Sequence, residues 1–364
     1  MTPDVRHLLP SDEPVRLIDS GGSSVGDPSH TLPEPAALLR AYGALVIARR
    51  LNDQASALVR QGRLAVYPSS HGQEACQVAA AQALDDDDWM FPTYRDTAAI
   101  VARGVDPVEA LVLLKGDWHS GYDPYQYRVA PQATPLATQL LHAVGVAHAA
   151  RLRSEPTVVL AMCGDGATSE GDFHEALNFA AVFGAPVVFF VQNNEYAISV
   201  PLARQSVAPS LAHKGVGYGV PGERVDGNDV AAVLSVLSTA VSRARSGDGP
   251  QLVEAHTYRI QAHTNADDAS RYRPDDEVKP WIERDPLVRL DGYLRHAGAL
   301  DDDGAAAYAE QAERLAEHIR DGVGRDVEPR PEDLFDHVYA RRTPQLEEQA
   351  AMLADELARE ESDV

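Results

Sequence analysis

Two short, wholly apolar runs separated by one helix-length stretch constrain this chain more than any other feature. Thr157 to Met162 reads as a buried strand and leads into Cys163-Gly164-Asp165-Gly166. A helical stretch from about Ser169 to Phe183 follows, and Pro186 to Val191 is a second buried strand ending in Gln192-Asn193-Asn194. Strand, glycine turn, helix and strand make a βαβ unit, and strands apolar on both faces belong in a parallel sheet covered from either side. The alternation recurs further on. Val230 to Ala244 reads as a helix stopped by Gly247-Asp248-Gly249-Pro250, and Leu252 to Ile260 as a strand. The expected fold is α/β: a doubly wound, mainly parallel sheet with helices on both faces, plus a helical C-terminal part.

An open α/β sheet binds its ligands beyond the carboxyl ends of its strands. Asp165 and Asn194 both stand there, 29 residues apart, the length of one crossover. Adjacent strands would bring them side by side. A carboxylate, an amide oxygen and a free backbone carbonyl are hard donors that suit Mg²⁺, which completes its octahedron with water and phosphate oxygens. Gly164 and Gly166 let a ligand approach the backbone, and a helix starting near Ser169 would point N–H groups and a positive dipole end at phosphate. Ser169 with Asp172 resembles a capping box. The local chemistry is that of a metal-bridged diphosphate site. No Gly-x-Gly-x-x-Gly follows the strands, which argues against a nicotinamide-binding protein.

Around this centre the chain divides into three parts. Residues 1–34, with five prolines and Gly21-Gly22-Ser23-Ser24, read as a flexible arm. Residues 35–280 form the α/β core, opening with a helix from Pro35 to Gln61 and another from about Gly72 to Ala83. Residues 281–364 read as a mostly helical extension with a solvated acidic end. The run Asp85 to Asp88 reads as a solvated turn. Net charge is −23, a field that opposes nucleic acid and anionic membrane surfaces. Two cysteines, Cys76 and Cys163, make no disulfide framework and suit a reducing compartment. No apolar run reaches the ~18 residues of a membrane span, and the first residues lack a secretory pattern. A soluble, cytoplasmic protein is expected.

Gly164-Asp165-Gly166, one helix, then Asn193-Asn194 matches the thiamine-diphosphate binding motif. The text from Gly164 to Pro201 resembles the α subunits of two-chain 2-oxo acid dehydrogenase E1 components. So do Phe91 to Asp96, Thr134 to Gln139, Arg224 to Asp229 and His256 to Arg273, in the same order; the resemblance spans roughly 36–340. It implies thiamine diphosphate and Mg²⁺ as cofactors. Asp165 and Asn194 would ligate the metal through side chains and Tyr196 through its carbonyl, within a cofactor-binding stretch that includes Gly164, Gly166 and Ala167. Tyr94 and Arg95 would hold the diphosphate. Leu136 would meet the aminopyrimidine through its backbone, with Thr134 beside it. Thr138 and Gln139 match a structural K⁺ site of some relatives.

His263 matches the family's active-site histidine, which handles the oxo acid and the lipoyl acceptor; imidazole exchanges protons near neutral pH. Arg259 and Tyr272 match its neighbours, and Thr264 aligns with a phosphorylated serine of some relatives. His71 and His119 are further candidates for the pocket mouth. One departure stands out: residues 116–133 replace a longer loop of the relatives. The implied activity is oxidative decarboxylation of a 2-oxo acid, nearer in its motifs to branched-chain than to pyruvate enzymes. The acyl unit would pass to a lipoyl-bearing E2. A pyruvate or acetoin E1 α subunit, or a non-catalytic scaffold of the same fold, are the alternatives. Because every motif belongs to the diphosphate half of such a site, an E1 β subunit is expected as partner in an α₂β₂ assembly.

Overall fold

The structure, a computed structural model, describes residues 5–116, 121–324, 330–336 and 338–362. Contacts divide the chain into two compact units, Met1–Val323 and Gly324–Val364. In the first, α1 (Pro35–Arg60) and α2 (Glu74–Gln82) precede strand β1 (Trp89–Phe91). Then come α3 (Thr97–Ala102), α4 (Pro107–Lys115), α5 (Pro124–Tyr127) and α6 (Thr138–Leu152). Strand β2 (Val159–Gly164), α7 (Gly171–Phe183) and β3 (Val187–Asn193) form the βαβ unit, followed by a hairpin of β4 (Tyr196–Ala197) and β5 (Val200–Pro201). The unit closes with β6 (Gly222–Asp226), α8 (Val230–Arg245), β7 (Gln251–His256), α9 (Asp275–Ile282), α10 (Pro286–His296) and α11 (Asp302–Val323). The second unit holds α12 (Asp333–Asp336) and α13 (Pro344–Ser362).

The main sheet has the order β1-β2-β3-β7-β6, and every pairing is parallel. After β3 the chain runs to the far edge, lays down β6, and returns through α8 to place β7 beside β3. That reversal opens a crevice at the carboxyl ends of β3 and β7. Side chains alternate across the sheet. Leu160, Met162, Val188, Phe190 and Val253 enter one core with α1, α2 and α8, while Val159, Ala161, Val187, Phe189 and Leu252 enter a second with α6 and α7. Period-two alternation with both faces buried is why these strands read as unbroken apolar runs. Among the described residues no helix is long and apolar enough to cross a membrane.

Several local expectations are corrected. The proline-rich lead-in is anchored at several points instead of free. Val15 pairs in parallel with Val225, covering the β6 edge, and Leu8, Val15, Leu17 and Ile18 are buried. Asp229 accepts from the N–H groups of Leu17 (2.8 Å) and Ile18 (2.7 Å), while Arg289 Nε donates to the Ile18 carbonyl (2.8 Å). The helical region after 280 is not one separate part: Leu290, Leu294, Ile319 and Val323 join the core of α1, and the unit boundary falls at 323. Ser169 caps nothing. It ends a 3-10 turn, Gly166–Ser169, and Asp172 instead accepts from Thr138 Oγ1 (3.1 Å). Strand β7 stops at His256, freeing residues 257–260 as a loop. Asp88 is buried, chelated by Arg245 at 2.7 and 3.0 Å, while Asp85 to Asp87 stay exposed.

Candidate functional site

Four parallel strands deliver their exits to one cavity of about 150 Å³. Thr93, Tyr94 and Arg95 follow β1, residues 164–167 end β2, Asn194 and the β4–β5 hairpin follow β3, and Arg259 and His263 follow β7. Register explains the convergence: Gly164 stands opposite Gln192, and Asn193 opposite His256. Asn193 and Asn194 have different partners, the first inside β3 and the second just past its end. Asn193 donates to buried Glu254 (2.7 Å), whereas Asn194 lines the cavity.

One wall is built of oxygen. Asp165 is 1% exposed, and Gln205 Nε2 donates to its Oδ2 at 2.7 Å. Burial pushes its carboxyl above the usual range, against that hydrogen bond. Asn194 Nδ2 donates to Gln73 Oε1 (2.9 Å), Gln73 Nε2 to Gln192 Oε1 (3.0 Å), and Gln192 Nε2 to Asp96 Oδ1 (2.7 Å). This relay of amides sets the Asn194 side chain with its NH₂ turned away, so Oδ1 keeps a lone pair beyond the one meeting the Tyr196 N–H at 3.3 Å. The Tyr196 carbonyl accepts from Arg259 Nη1 (3.2 Å). Gly164 faces open space, with nothing within 4 Å of an added Cβ, whereas a Cβ on Gly166 would stand 2.8 Å from that of Ala197. Among the described residues no three His, Cys, Asp or Glu side chains converge. The donor set is one buried carboxylate, one oriented amide and one carbonyl, which fits a Mg²⁺ that takes its other ligands from phosphate and water.

Two cations line the same cavity. Arg95 and Arg259 are buried inside a chain of net charge −23. Arg95 donates to the Ser69 carbonyl (2.9 Å) and, through Nη2, to Nδ1 and the carbonyl of His263, both at 3.1 Å. Arg259 reaches the Ile198 carbonyl (2.6 Å) and the Tyr272 hydroxyl (2.9 Å), and its buried Nε has no hydrogen-bond partner. Burial and the neighbouring Arg95 pull its pKa down. Two desolvated guanidiniums at one cavity call for an anion.

His263 sits between them. Its Nδ1 receives Arg95 (3.1 Å) and faces Arg259 (3.5 Å), so Nδ1 is an acceptor and the ring proton is on Nε2. Burial, then the two arginines, lower its pKa to about 4. The ring is therefore neutral at pH 7, a standing N–H donor. Asp267 Oδ2 fixes the loop by accepting from the His263 N–H (2.8 Å) and the Tyr272 hydroxyl (2.5 Å). Tyr94 packs edge-on to the imidazole with ring centres 6.1 Å apart, and the Arg95 guanidinium lies over the Tyr94 ring.

The dehydrogenase E1 component family model matches residues 42–332. The chain belongs to that family. Members of the E1 family are oxidoreductases that depend on thiamine diphosphate. A 3-methyl-2-oxobutanoate dehydrogenase subunit alpha of Mycobacterium tuberculosis is 45% identical over 348 residues, 95% of either chain. A pyruvate dehydrogenase E1 component subunit alpha of Staphylococcus aureus is 37% identical over 82% of this chain and 81% of its own. Its counterpart in Acholeplasma laidlawii is 36% identical over 91% and 96%.

Within this E1 chain, Tyr94, Arg95, Leu136, Gly164, Asp165, Gly166, Ala167, Asn194, Tyr196, Arg259 and His263 all line the one cavity. Thr134 does not. It is exposed beside Ala133, whose carbonyl accepts from the Tyr94 N–H (3.1 Å). The α7 N-terminus does not line it either; the backbone there belongs to Gly166 and Ala167 of the 3-10 turn. Gln139 donates to the carbonyls of Leu136 (3.1 Å) and Met162 (2.9 Å), leaving its buried Oε1 without a partner. His71 stays outside the lining, next to Gln261 (3.4 Å), and His119 lies outside the described residues. Thr264 is half-buried beside His263. Sequence reasoning missed the roles of Gln73 and Gln205. Each is a lone glutamine in a loop, with no spacing to mark it.

Proposed function

We propose that this chain is the diphosphate-binding α subunit of a branched-chain 2-oxo acid dehydrogenase E1. Asp165, Asn194 and the Tyr196 carbonyl hold Mg²⁺, with Tyr94, Arg95 and Arg259 meeting the diphosphate. The observation that carries the reading is a single cavity lined both by the oxygen donors of Asp165, Asn194 and Tyr196 and by a buried guanidinium pair. When bound, thiamine diphosphate supplies the carbon nucleophile and electron sink for decarboxylation. The protein supplies position. Gly164 leaves the backbone open to the ligand, the amide relay holds Asn194, and Tyr94 and Leu136 add apolar surface to the lining. His263, neutral and donating through Nε2, hydrogen-bonds an oxygen of the 2-oxo acid or its product without needing to be charged. The unpartnered Gln139 Oε1 beside Thr138 supports a structural K⁺.

The branched-chain preference is supported by the relative that matches over 95% of this chain at 45% identity. The chain contributes one parallel sheet and half a site, so an E1 β subunit completes it as α₂β₂. A lipoyl-bearing E2 takes the acyl group, and the complex works in the cytoplasm. Steady-state assays of the complex reconstituted from this chain, β subunit and E2 test the reading. Turnover with 3-methyl-2-oxobutanoate should exceed that with pyruvate at least tenfold in kcat/KM; the reverse order assigns a pyruvate enzyme. Decarboxylation by this chain alone, loaded with Mg²⁺ and thiamine diphosphate, would refute the two-subunit site.

A further inference from the structure

The loop that carries Asn194 and Tyr196 is strained. Glu195 (φ +73°) and Ile198 (φ +56°) both take the left-handed conformation that favours glycine. Such backbone persists only where surrounding structure over-determines it, and here three side-chain ties do so. Glu195 Oε1 pairs with His256 Nε2 (2.5 Å), Arg259 Nη2 holds the Ile198 carbonyl (2.6 Å), and the Tyr196 hydroxyl donates to Glu277 at 2.9 and 3.1 Å. Arg259 also meets the Tyr196 carbonyl itself at 3.2 Å, and among these three ties the last holds the Tyr196 side chain at its phenol end. Glu277 is itself well placed. It lies in the first turn of α9, and the Tyr258 hydroxyl donates to its Oε1 at 3.1 Å, the oxygen that Tyr196 meets at 2.9 Å. Trp281, one turn further on, stacks on Tyr258 (5.5 Å between centres) and meets His256 edge-on (5.2 Å). Helix α9 is thereby fastened to the β7 exit, and Glu277 reaches from it to the phenol end of Tyr196 without lining the cavity.

We propose that Glu277 is a positioning residue for the metal site, acting through the Tyr196 phenol. This rests on the Mg²⁺ reading above. Mg²⁺ demands near-ideal octahedral geometry at 2.0–2.1 Å, whereas Ca²⁺ accepts flexible geometry at 2.3–2.6 Å. A carbonyl on a strained loop that has lost its anchor therefore fails Mg²⁺ more than Ca²⁺.

The test is metal-dependent binding of thiamine diphosphate to the assembled E1, followed by calorimetry with Mg²⁺ and then Ca²⁺ as the only divalent cation. Glu277→Ala should raise the Mg²⁺ half-saturation point about tenfold or more and the Ca²⁺ point about threefold or less. Glu277→Gln, which keeps an acceptor oxygen, should recover most of the Mg²⁺ loss. Tyr196→Phe should reproduce most of the Glu277→Ala loss, and adding it to Glu277→Ala should cost nothing more, since Glu277→Ala already cuts the Tyr196 connection along with that to Tyr258. A Mg²⁺ point within twofold of wild type in Glu277→Ala, equal losses for both metals, or additive losses in the double variant would each overturn the proposal. If Glu277→Ala does not assemble, Tyr196→Phe decides alone, and an unchanged Mg²⁺ point there has the same force. Metal-independent cofactor binding by the wild type is a different result, and refutes the Mg²⁺ site itself.

Discussion

Replacing Arg289 with Met should loosen the N-terminal segment and lower the melting temperature of the α/β unit by about 4 °C. Arg289 is 3% exposed and joins two buried carboxylates to the segment around Ile18. Its Nη1 lies 3.1 Å from Asp226, its Nη2 3.5 Å from Asp229, and its Nε donates to the Ile18 carbonyl at 2.8 Å. Burial works to raise the Asp226 carboxyl, yet Arg289 holds it below the usual range. Breaking a buried pair by removing one partner costs about 3–5 kcal/mol. The low end applies, because the N–H groups of Leu17, Ile18, Ala231 and Ala232 still meet Asp229, and Arg16 still meets Asp226 at 3.0 Å. Unfolding entropy of about 2.1 cal/mol/K per residue, over a unit ending at Val323, converts about 3 kcal/mol into that temperature shift. Met preserves the buried stem, so packing changes little. Calorimetry measures the shift, and limited proteolysis should cut within residues 19–28 of the variant while sparing the wild type. A melting temperature within 1 °C of wild type, with the same cleavage pattern, would sink the reasoning.

Asp165→Asn keeps the shape and the Gln205 contact but removes a buried charge, so cofactor-free stability should hold or rise while thiamine diphosphate affinity falls at least tenfold, about 1.4 kcal/mol; equal affinity removes Asp165 from the site. His263 has a folded pKa near 4, below its ordinary 6.5, so its share of activity should stay flat from pH 8 to about 5. Over the window from 6.5 down to about 4 the unfolded chain takes up a proton that the folded chain refuses, so folding weakens there, and His263→Gln should flatten that slope in pH-dependent melts. In Gly72→Ala the new Cβ would lie 2.1 Å from the Tyr258 carbonyl at φ +97°. The β7 exit must then move, and a loss of more than about 3 kcal/mol is expected on denaturant titration.

Strands β2 and β3 were legible because both faces are buried and the runs up to Cys163 and Val191 are apolar throughout. Asp165 and Asn194 were legible because strand ends can be located to within a residue or two and a parallel pair brings two such ends together. What could not be read depends on partners far away in sequence. Asp88 looks like one of four solvated acids until Arg245, 157 residues later, chelates it. The lead-in looks free because its glycines and prolines mark turns, while its anchors Asp229 and Arg289 lie more than 200 residues on. Ser169 has the right spacing for a cap, yet Thr138 takes the carboxylate the cap needed. His263 was legible as a site residue but its neutrality was not, since that follows from burial in the cavity, from Arg95 at the β1 exit, and from Arg259 folded back beside it.

The opposition between a chain of charge −23 and a cavity holding two guanidiniums sets the order in which ligands arrive. An incoming polyanion meets repulsion over about a Debye length, roughly 8 Å at physiological ionic strength, before the arginines can capture it. A divalent cation meets the reverse and is concentrated at the same mouth. Paired in solution, the two present a smaller net charge than the anion alone and cross the outer field more easily. Added salt therefore quickens entry of the bare anion and slows that of the bare cation, while leaving the buried contacts that hold them little changed.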